Sequence, residues 1–432
     1  MKTTSTMALL AAAGFLAGGV AMAPAPARAA DLGGDCCADL ESRVAELEAT
    51  TARKGNRKVS LTITGRVNMN IMWWNENSGL GLSSTPFDRT SDVYFGNVTR
   101  NETEFVFKGD AKISKDLTGG FSMESYDDPD ASGVDDTQTT HQGANTLAAK
   151  TAYVFLKSAS LGEVRLGQQY GALHDGFYAD LGVDVIGKYA QTRDVAKLNL
   201  RDTAGNLVKN YQNAIKPIED TRDNGILYIT PAWNGFTAKA NYAGDDTWGA
   251  SLGYNNKFGT VSLVAALGYE NATELDGDNA DKGIQNVQPS VSFPLTNFAN
   301  NSLRVVAASA SVSESGSGLY LTGEYSRAYA NIAGRQDATN WMAKGGWQKN
   351  VSGLGTTAIY LSYFKQDNLW QNNTSGHVAA VGIDQAIDAV ASDLYLQYQR
   401  DSFDTDGVAL NGKIPVNSQS FDAVIGGMII RF

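Results

Sequence analysis

Val59-Ser60-Leu61-Thr62-Ile63-Thr64-Gly65-Arg66-Val67-Asn68-Met69-Asn70-Ile71-Met72-Trp73 changes character at every second residue. Val59, Leu61, Ile63, Gly65, Val67, Met69, Ile71 and Trp73 make one wholly apolar face; Ser60, Thr62, Thr64, Arg66, Asn68, Asn70 and Met72 make a mostly polar one. Side chains of an extended chain alternate between faces, so the period of two predicts a strand. A soluble strand is usually about 5–6 residues and a tilted membrane strand needs about 9–11. This run has the length of the second kind.

The pattern continues outward. Thr103, Phe105, Phe107, Ala111 and Ile113 alternate with Glu104, Lys108, Asp110 and Lys112, and Val261, Leu263, Ala265, Leu267 and Tyr269 repeat the period later. Sixteen strands are predicted, at 59–74, 99–113, 119–126, 147–158, 162–170, 222–230, 235–243, 247–256, 260–270, 302–313, 318–329, 339–349, 355–366, 378–388, 391–400 and 419–432. The stretch 286–294 is assigned to a loop, because Pro289 and Pro294 disfavour a central strand. Such a succession without intervening helices is the sequence form of an antiparallel barrel with unlike faces. The run Thr356 to Lys365 is apolar on both faces and does not say which one is buried.

Composition narrows the function. The chain has 432 residues, 45 Gly, 9 Pro, 3 His and 2 Cys, with 19% charged residues and a net charge of −11. An acidic protein is a poor partner for nucleic acid, which attracts Lys/Arg patches. Two cysteines make no disulfide scaffold and three histidines leave little for a metal site, so neither metal nor cofactor is expected. No G-x-S-x-G is present, and only His141, His174 and His377 could serve as a histidine base, so hydrolase chemistry is not expected.

Residues 1–29 read as a cleaved signal peptide: Lys2, an apolar run from Met7 to Met22, then Ala27-Arg28-Ala29. Loss of Lys2 and Arg28 takes the charge from −11 to −13. Residues 30–56 form a linker with a short helix, Asp35 to Lys54, whose Cys37, Leu40, Val44 and Leu47 share one face. It either packs on its own chain or joins subunits as a coiled coil. Residues 57–432 are the barrel. At the other end Val424, Gly426, Met428, Ile430 and Phe432 alternate to an aromatic terminus, which looks like the assembly signal of outer-membrane barrels. Trp73, Trp74, Trp341, Trp347, Tyr360 and Tyr363 lie in or near strand ends, as an aromatic girdle requires, and each alone fits packing against a loop equally well.

Asp35-Cys36-Cys37-Ala38-Asp39-Leu40-Glu41, Val44-Ala45-Glu46-Leu47-Glu48-Ala49, Arg53-Lys54-Gly55-Asn56 and Val59 to Gly65 resemble the alphaproteobacterial outer-membrane porins of the Brucella and rhizobial type. Leu161-Gly162-Glu163-Val164-Arg165-Leu166-Gly167-Gln168 and Arg222 to Tyr228 resemble porins more broadly. The resemblance implies an all-β, 16-stranded antiparallel transmembrane barrel with a short N-terminal helix. It further implies a homotrimer in the Gram-negative outer membrane, seated among lipid and lipopolysaccharide, folded by the barrel-assembly machinery, and passing small hydrophilic solutes by passive diffusion. In that family the third outer loop narrows the pore. Here the connection between the fifth and sixth strands, Gly171 to Thr221, exceeds every other, and loops beyond about 12–15 residues are usually functional or disordered.

The acidic candidates for the constriction are Asp175, Asp180 and Asp184 on that loop; the basic candidates are Arg66, Lys108 and Arg165 on the polar faces of strands. Opposed charges would set a transverse field across the narrowest zone. Arg193, Arg201 and Arg222 are candidates for holding the loop to the wall, and the net charge suggests mild cation preference. A sugar-type specific channel is the alternative function; Tyr153, Phe155 and Tyr395 are the lumen-facing rings it would use.

Overall fold

The structure is a computed structural model describing residues 59–432, apart from 83–88, 97–102, 128–146, 186–198, 209–214, 216–217, 219–221, 245, 273–302, 331–333, 370–371 and 408–415. The segments 1–29 and 30–56, with their helix and Cys36 and Cys37, lie outside the described residues, as does 286–294.

Sixteen antiparallel strands close on themselves. They are β1 (Ser60–Asn77), β2 in two pieces (Ser91–Gly96 and Glu104–Lys112), β3 (Leu117–Asp127), β4 (Leu147–Ser158), β5 (Gly162–Tyr170), β6 (Arg222–Ile229), β7 (Phe236–Ala243) and β8 (Trp248–Phe258). Then come β9 (Val261–Ala272), β10 (Leu303–Glu314), β11 (Leu319–Ala330), β12 (Ala338–Lys349), β13 (Thr357–Asp367), β14 (Ser375–Ile387), β15 (Ser392–Asp404) and β16 (Ser418–Arg431). Each strand pairs with its sequence neighbour, and β16 returns to β1, from Arg66↔Arg431 to Asn77↔Ser420. β9 pairs directly with β10. The second strand begins earlier than its pattern suggested: Ser91–Gly96 pairs with the upper part of β1.

Closure is physically required. Lipid offers no hydrogen bonds, so a spanning sheet must satisfy every edge internally. The seam is sealed by the last residue. The Phe432 N–H donates to the Gly65 carbonyl and the Gly65 N–H to the Phe432 carbonyl, both at 3.0 Å. The Phe432 ring lies over Gly65, where an added Cβ would stand 2.7 Å from it, and packs on Phe105 at 5.8 Å between centroids. Gly65 interrupts the apolar face of β1 because the terminal ring occupies that space.

Burial runs opposite to that of a soluble protein. Along β1, Ile63, Val67, Met69 and Ile71 are exposed while Asn68, Asn70 and Glu76 are buried. The same inversion recurs on β11, where Leu319, Leu321 and Tyr325 face out and Thr322, Glu324 and Ser326 face in. The apolar outer face matches hydrocarbon and the polar inner face matches water.

One side of the interior is apolar. Met72, Trp74, Tyr94, Met342, Phe364, Val378, Tyr395, Phe403, Phe421 and Ile425 form a core inside the barrel, joined by Val185, Leu200 and Ile215 of the third outer loop. This explains the two-faced apolarity of β13: its inner Tyr360 and Phe364 are buried inside the barrel, while Ile359, Leu361 and Tyr363 face outward. It also corrects the girdle. Trp74 and Tyr360 turn inward and are buried, Trp74 within the core that the loop joins and Tyr360 over Gly382 with its hydroxyl bonded to Gln397; Trp341 and Tyr363 remain on the outer wall.

Candidate functional site

The third outer loop leaves β5 at Gly171, makes a 3-10 turn over Ala172–Phe177, and then runs extended along the inner wall. Two close approaches let it lie flat. A Cβ on Gly268 of β9 would meet the Leu173 carbonyl at 2.8 Å, and one on Gly176 would meet the Ala307 carbonyl at 2.6 Å. Leu173 and Phe177 sink among Leu303, Val305, Ala307, Ala328 and Ala338.

A buried loop backbone must find partners, and the wall supplies them strand by strand. The Ala179 and Leu181 N–H groups donate to the hydroxyls of Ser309 and Ser311 on β10, each at 3.0 Å. The Val183 N–H donates to Gln348 Oε1 of β12 at 2.9 Å, and the Val185 N–H to Asp384 Oδ2 of β14 at 2.5 Å. Further on, Arg201 N–H donates to Gln419 Oε1 of β16 at 2.7 Å and Arg201 Nε to Glu76 Oε1 of β1 at 2.5 Å. The Ile218 N–H donates to Asn340 Oδ1 at 2.8 Å. The described parts of the loop therefore lie on the inner wall over β9 to β14 and again at β16 and β1.

The acidic candidates fall into two kinds. Asp180 and Asp184 are buried, and Lys344 of β12 holds both, Nζ standing 2.5 Å from Asp180 Oδ2 and 2.9 Å from Asp184 Oδ2. Thr322 donates to Asp180 Oδ1 at 2.8 Å and Tyr320 to Asp184 Oδ1 at 2.7 Å. Burial pushes the Asp180 carboxyl above the ordinary aspartate value, with Lys344 drawing it back. Asp175 is half-buried and meets Lys239 of β7 at 2.7 Å.

The basic candidates lie on β1, β2 and β5. Residues paired across strands share a face, so the register Thr62↔Lys108 and Arg66↔Glu104 sets Arg66 and Lys108 on the face of Asn68 and Asn70. Arg66 pairs with Glu104 at 2.9 Å, and Lys150 bridges Glu104 at 3.2 Å and Glu124 at 2.7 Å. The Lys108 ammonium stands 5.9 Å from the Phe155 ring centroid. Arg165 meets Glu163 at 2.6 Å and lies 4.8 Å over Tyr153. Arg201 does hold the loop to the wall; Arg193 lies outside the described residues. Arg222 lies across two rings, Tyr126 at 5.2 Å and Tyr170 at 5.6 Å. Tyr170, His174 and Tyr178 continue as a run of rings, 3.9 and 4.2 Å apart.

Lys344, Lys239 and the Ser309/Ser311 pair escaped the sequence reading. Lys344 did carry a signal: it is the lysine on the inward face of β12, which otherwise carries Ala338, Asn340, Met342, Gly346 and Gln348.

Among curated proteins none matches this chain. Many solved structures share its fold, three of which follow. The anion-selective porin from Comamonas acidovorans is 16% identical over 87% of this chain and 100% of its own, with a TM-score of 0.53. The outer membrane channel DcaP of Acinetobacter baumannii is 12% identical over 88% and 100%, at 0.54. OmpT, an outer membrane protein of Vibrio cholerae, is 11% identical over 88% and 99%, at 0.52. At such identities the likeness is one of fold. The family model for Gram-negative porins matches residues 8–406. Family and fold point to a channel rather than an enzyme, crossing the outer membrane with many strands and passing solutes by diffusion: the chain belongs to the Gram-negative porin family.

Proposed function

We propose that this porin is of the alphaproteobacterial type and works as a homotrimer of general diffusion pores, with residues 1–29 removed on export and the helix at 35–54 on the periplasmic side. The observation that carries the pore reading is the inverted burial of the strands together with a loop bonded to the inner wall. Solutes would pass between that loop and the wall of β1 to β7. Asp175 on the loop and Arg66, Lys108 and Arg165 on the wall line the narrow zone in this reading. Asp180 and Asp184 anchor the loop through Lys344 and shape the opening from behind. Apolar solutes are penalised because water ordered between fixed charges must be displaced.

Planar bilayer recordings test this. Purified trimer should give steps, often in threes, whose conductance follows bulk salt conductivity. A second reading is favoured by the rings Tyr126, Tyr170, His174 and Tyr178 around Arg222: a channel preferring flat solutes. Block of the current by one solute class, relieved by His174→Ala, would select it.

A further inference from the structure

Exposed apolar residues fix which of their neighbours turn into the lumen. Val154 and Leu156 of β4 face the lipid side, so Tyr153, Phe155 and Lys157 face inward. Phe107 on β2, Met123 on β3, and Val164 and Leu166 on β5 also face out. That turns inward Lys108, Asp110 and Lys112, then Thr118, Gly120 and Ser122, then Glu163 and Arg165. The register sets them in rows: Lys108 with Ser122 and Tyr153; Asp110 with Gly120, Phe155 and Arg165; Lys112 with Thr118, Lys157 and Glu163. The rows lie toward the end of the barrel with the short turns 113–116 and 159–161, which the pore reading makes periplasmic.

The cations of this patch are held in place without being neutralised. Lys108 reaches across β3, and its ammonium stands 5.9 Å from the Phe155 ring centroid. Gly120 makes room for that ring, since a Cβ there would stand 2.6 Å from it. Arg165 leans the other way, 4.8 Å over Tyr153. An aromatic face attracts a cation and leaves its charge uncancelled. Among the described residues neither Lys108 nor Lys112 makes an ion pair, while Arg165 and Lys157 share one carboxylate, Glu163, at 2.6 and 3.5 Å. Asp110 accepts a hydrogen bond from the Ser60 hydroxyl at 3.1 Å. The cations Lys108, Lys112, Lys157 and Arg165 thus outnumber the carboxylates Asp110 and Glu163. Farther out the balance differs: Arg66 and Lys150 are taken up by Glu104 and Glu124, and Lys239 by Asp175. A low-dielectric wall with an excess of one sign concentrates the opposite ion.

We infer that the inner wall of β2 to β5, in its periplasmic half, binds a compact multivalent anion of the phosphate-ester class through Lys108, Lys112, Lys157 and Arg165. A single negative charge gains from one or two of these cations, whereas a phosphate ester or polyphosphate engages the whole group. Arg165 gives only its Nε to Glu163, which leaves its terminal nitrogens for phosphate oxygens. The inference rests on the pore reading and deepens it, by giving the lumen a solute class and a preferred side.

The test records single channels of the purified protein in a planar bilayer. Inorganic tripolyphosphate is added to one chamber at a time, and acetate of equal ionic strength is the reference. Wild-type current should fall with tripolyphosphate relative to acetate, and half-block should need less of it from one chamber than from the other. Lys112→Gln with Lys157→Gln should raise the lower half-block concentration by roughly tenfold or more, as loss of two close charges implies, and bring the two chambers together. Lys257→Gln removes a lumenal lysine at the same end of the barrel, on β8 between outward residues, and should leave block at the wild-type level. Open steps and a folded band on unheated gels show that each variant assembles. Equal block in wild type and double variant, equal block from both chambers, or an equal loss in Lys257→Gln would overturn the site. Folded wild type that passes no current would instead strike the pore reading.

Discussion

Lys344 stands at the hinge between sequence and pore geometry. Its ammonium is buried with two carboxylates of the loop, and removing one partner of a buried ion pair costs about 3–5 kcal/mol. Lys344→Met should therefore leave Asp180 and Asp184 without their cation and loosen the loop. Single-channel records should show excess noise and altered conductance, and Lys344→Arg should keep more of the wild-type behaviour. A quiet, unchanged Lys344→Met channel would mean that the loop is held by its backbone bonds alone. At the seam, Gly65→Leu should collide with the Phe432 ring and lower the folded fraction seen on unheated gels. This arrangement could not be read from the sequence, because Lys344 lies 164 and 160 residues from its partners. Periodicity gives the face of a side chain and is silent on what covers it. Trp74 and Tyr360, near strand ends, therefore fit a girdle and inward packing equally well by sequence.

Strands were legible because lipid and water impose opposite demands on alternate residues. The clearest check is a pair of substitutions one residue apart on β1. Ile63→Lys puts charge on the exposed apolar face near the rim where Gly65 meets Phe432, which disfavours insertion by less than a midplane charge would; Thr62→Lys puts it on the opposite face. Assembly yield should fall for the first and hold for the second, and equal tolerance would reject the register. The periplasmic turns offer a pH test. Asp116 accepts hydrogen bonds from Ser158 at 2.6 Å and Ser160 at 2.9 Å, which hold its carboxyl below the ordinary aspartate value. A lowered folded value contributes stability above the usual aspartate range and loses it as pH falls through the folded value. Ser158→Ala with Ser160→Ala should flatten thermal stability across that acidic window. The third loop announced itself by length, but its path did not, since its partners are wall side chains spread over β10 to β16 and β1.

At the scale of the molecule, net charge and pore charge separate. Residues 127–146 carry Asp127, Asp128, Asp130, Asp135 and Asp136 with no lysine or arginine, so the outer connections hold much of the acidity. Inside, the register and the ion pairs set Lys108, Lys112, Lys150, Lys157 and Arg165 against Glu104, Asp110, Glu124 and Glu163 on one face of β2 to β5. The mild cation preference suggested by composition therefore does not carry over to this part of the wall. Lys108→Glu with Arg165→Glu should move the permeability ratio toward cations, read as a shift in reversal potential under a salt gradient, with the channel still open. The central claim is that this barrel is a water-filled diffusion channel. Its most direct test is single-channel current from purified, unheated protein in a planar bilayer at several salt concentrations. The claim requires discrete steps that scale with bulk conductivity and persist without added solute. Folded protein that passes no current would contradict it.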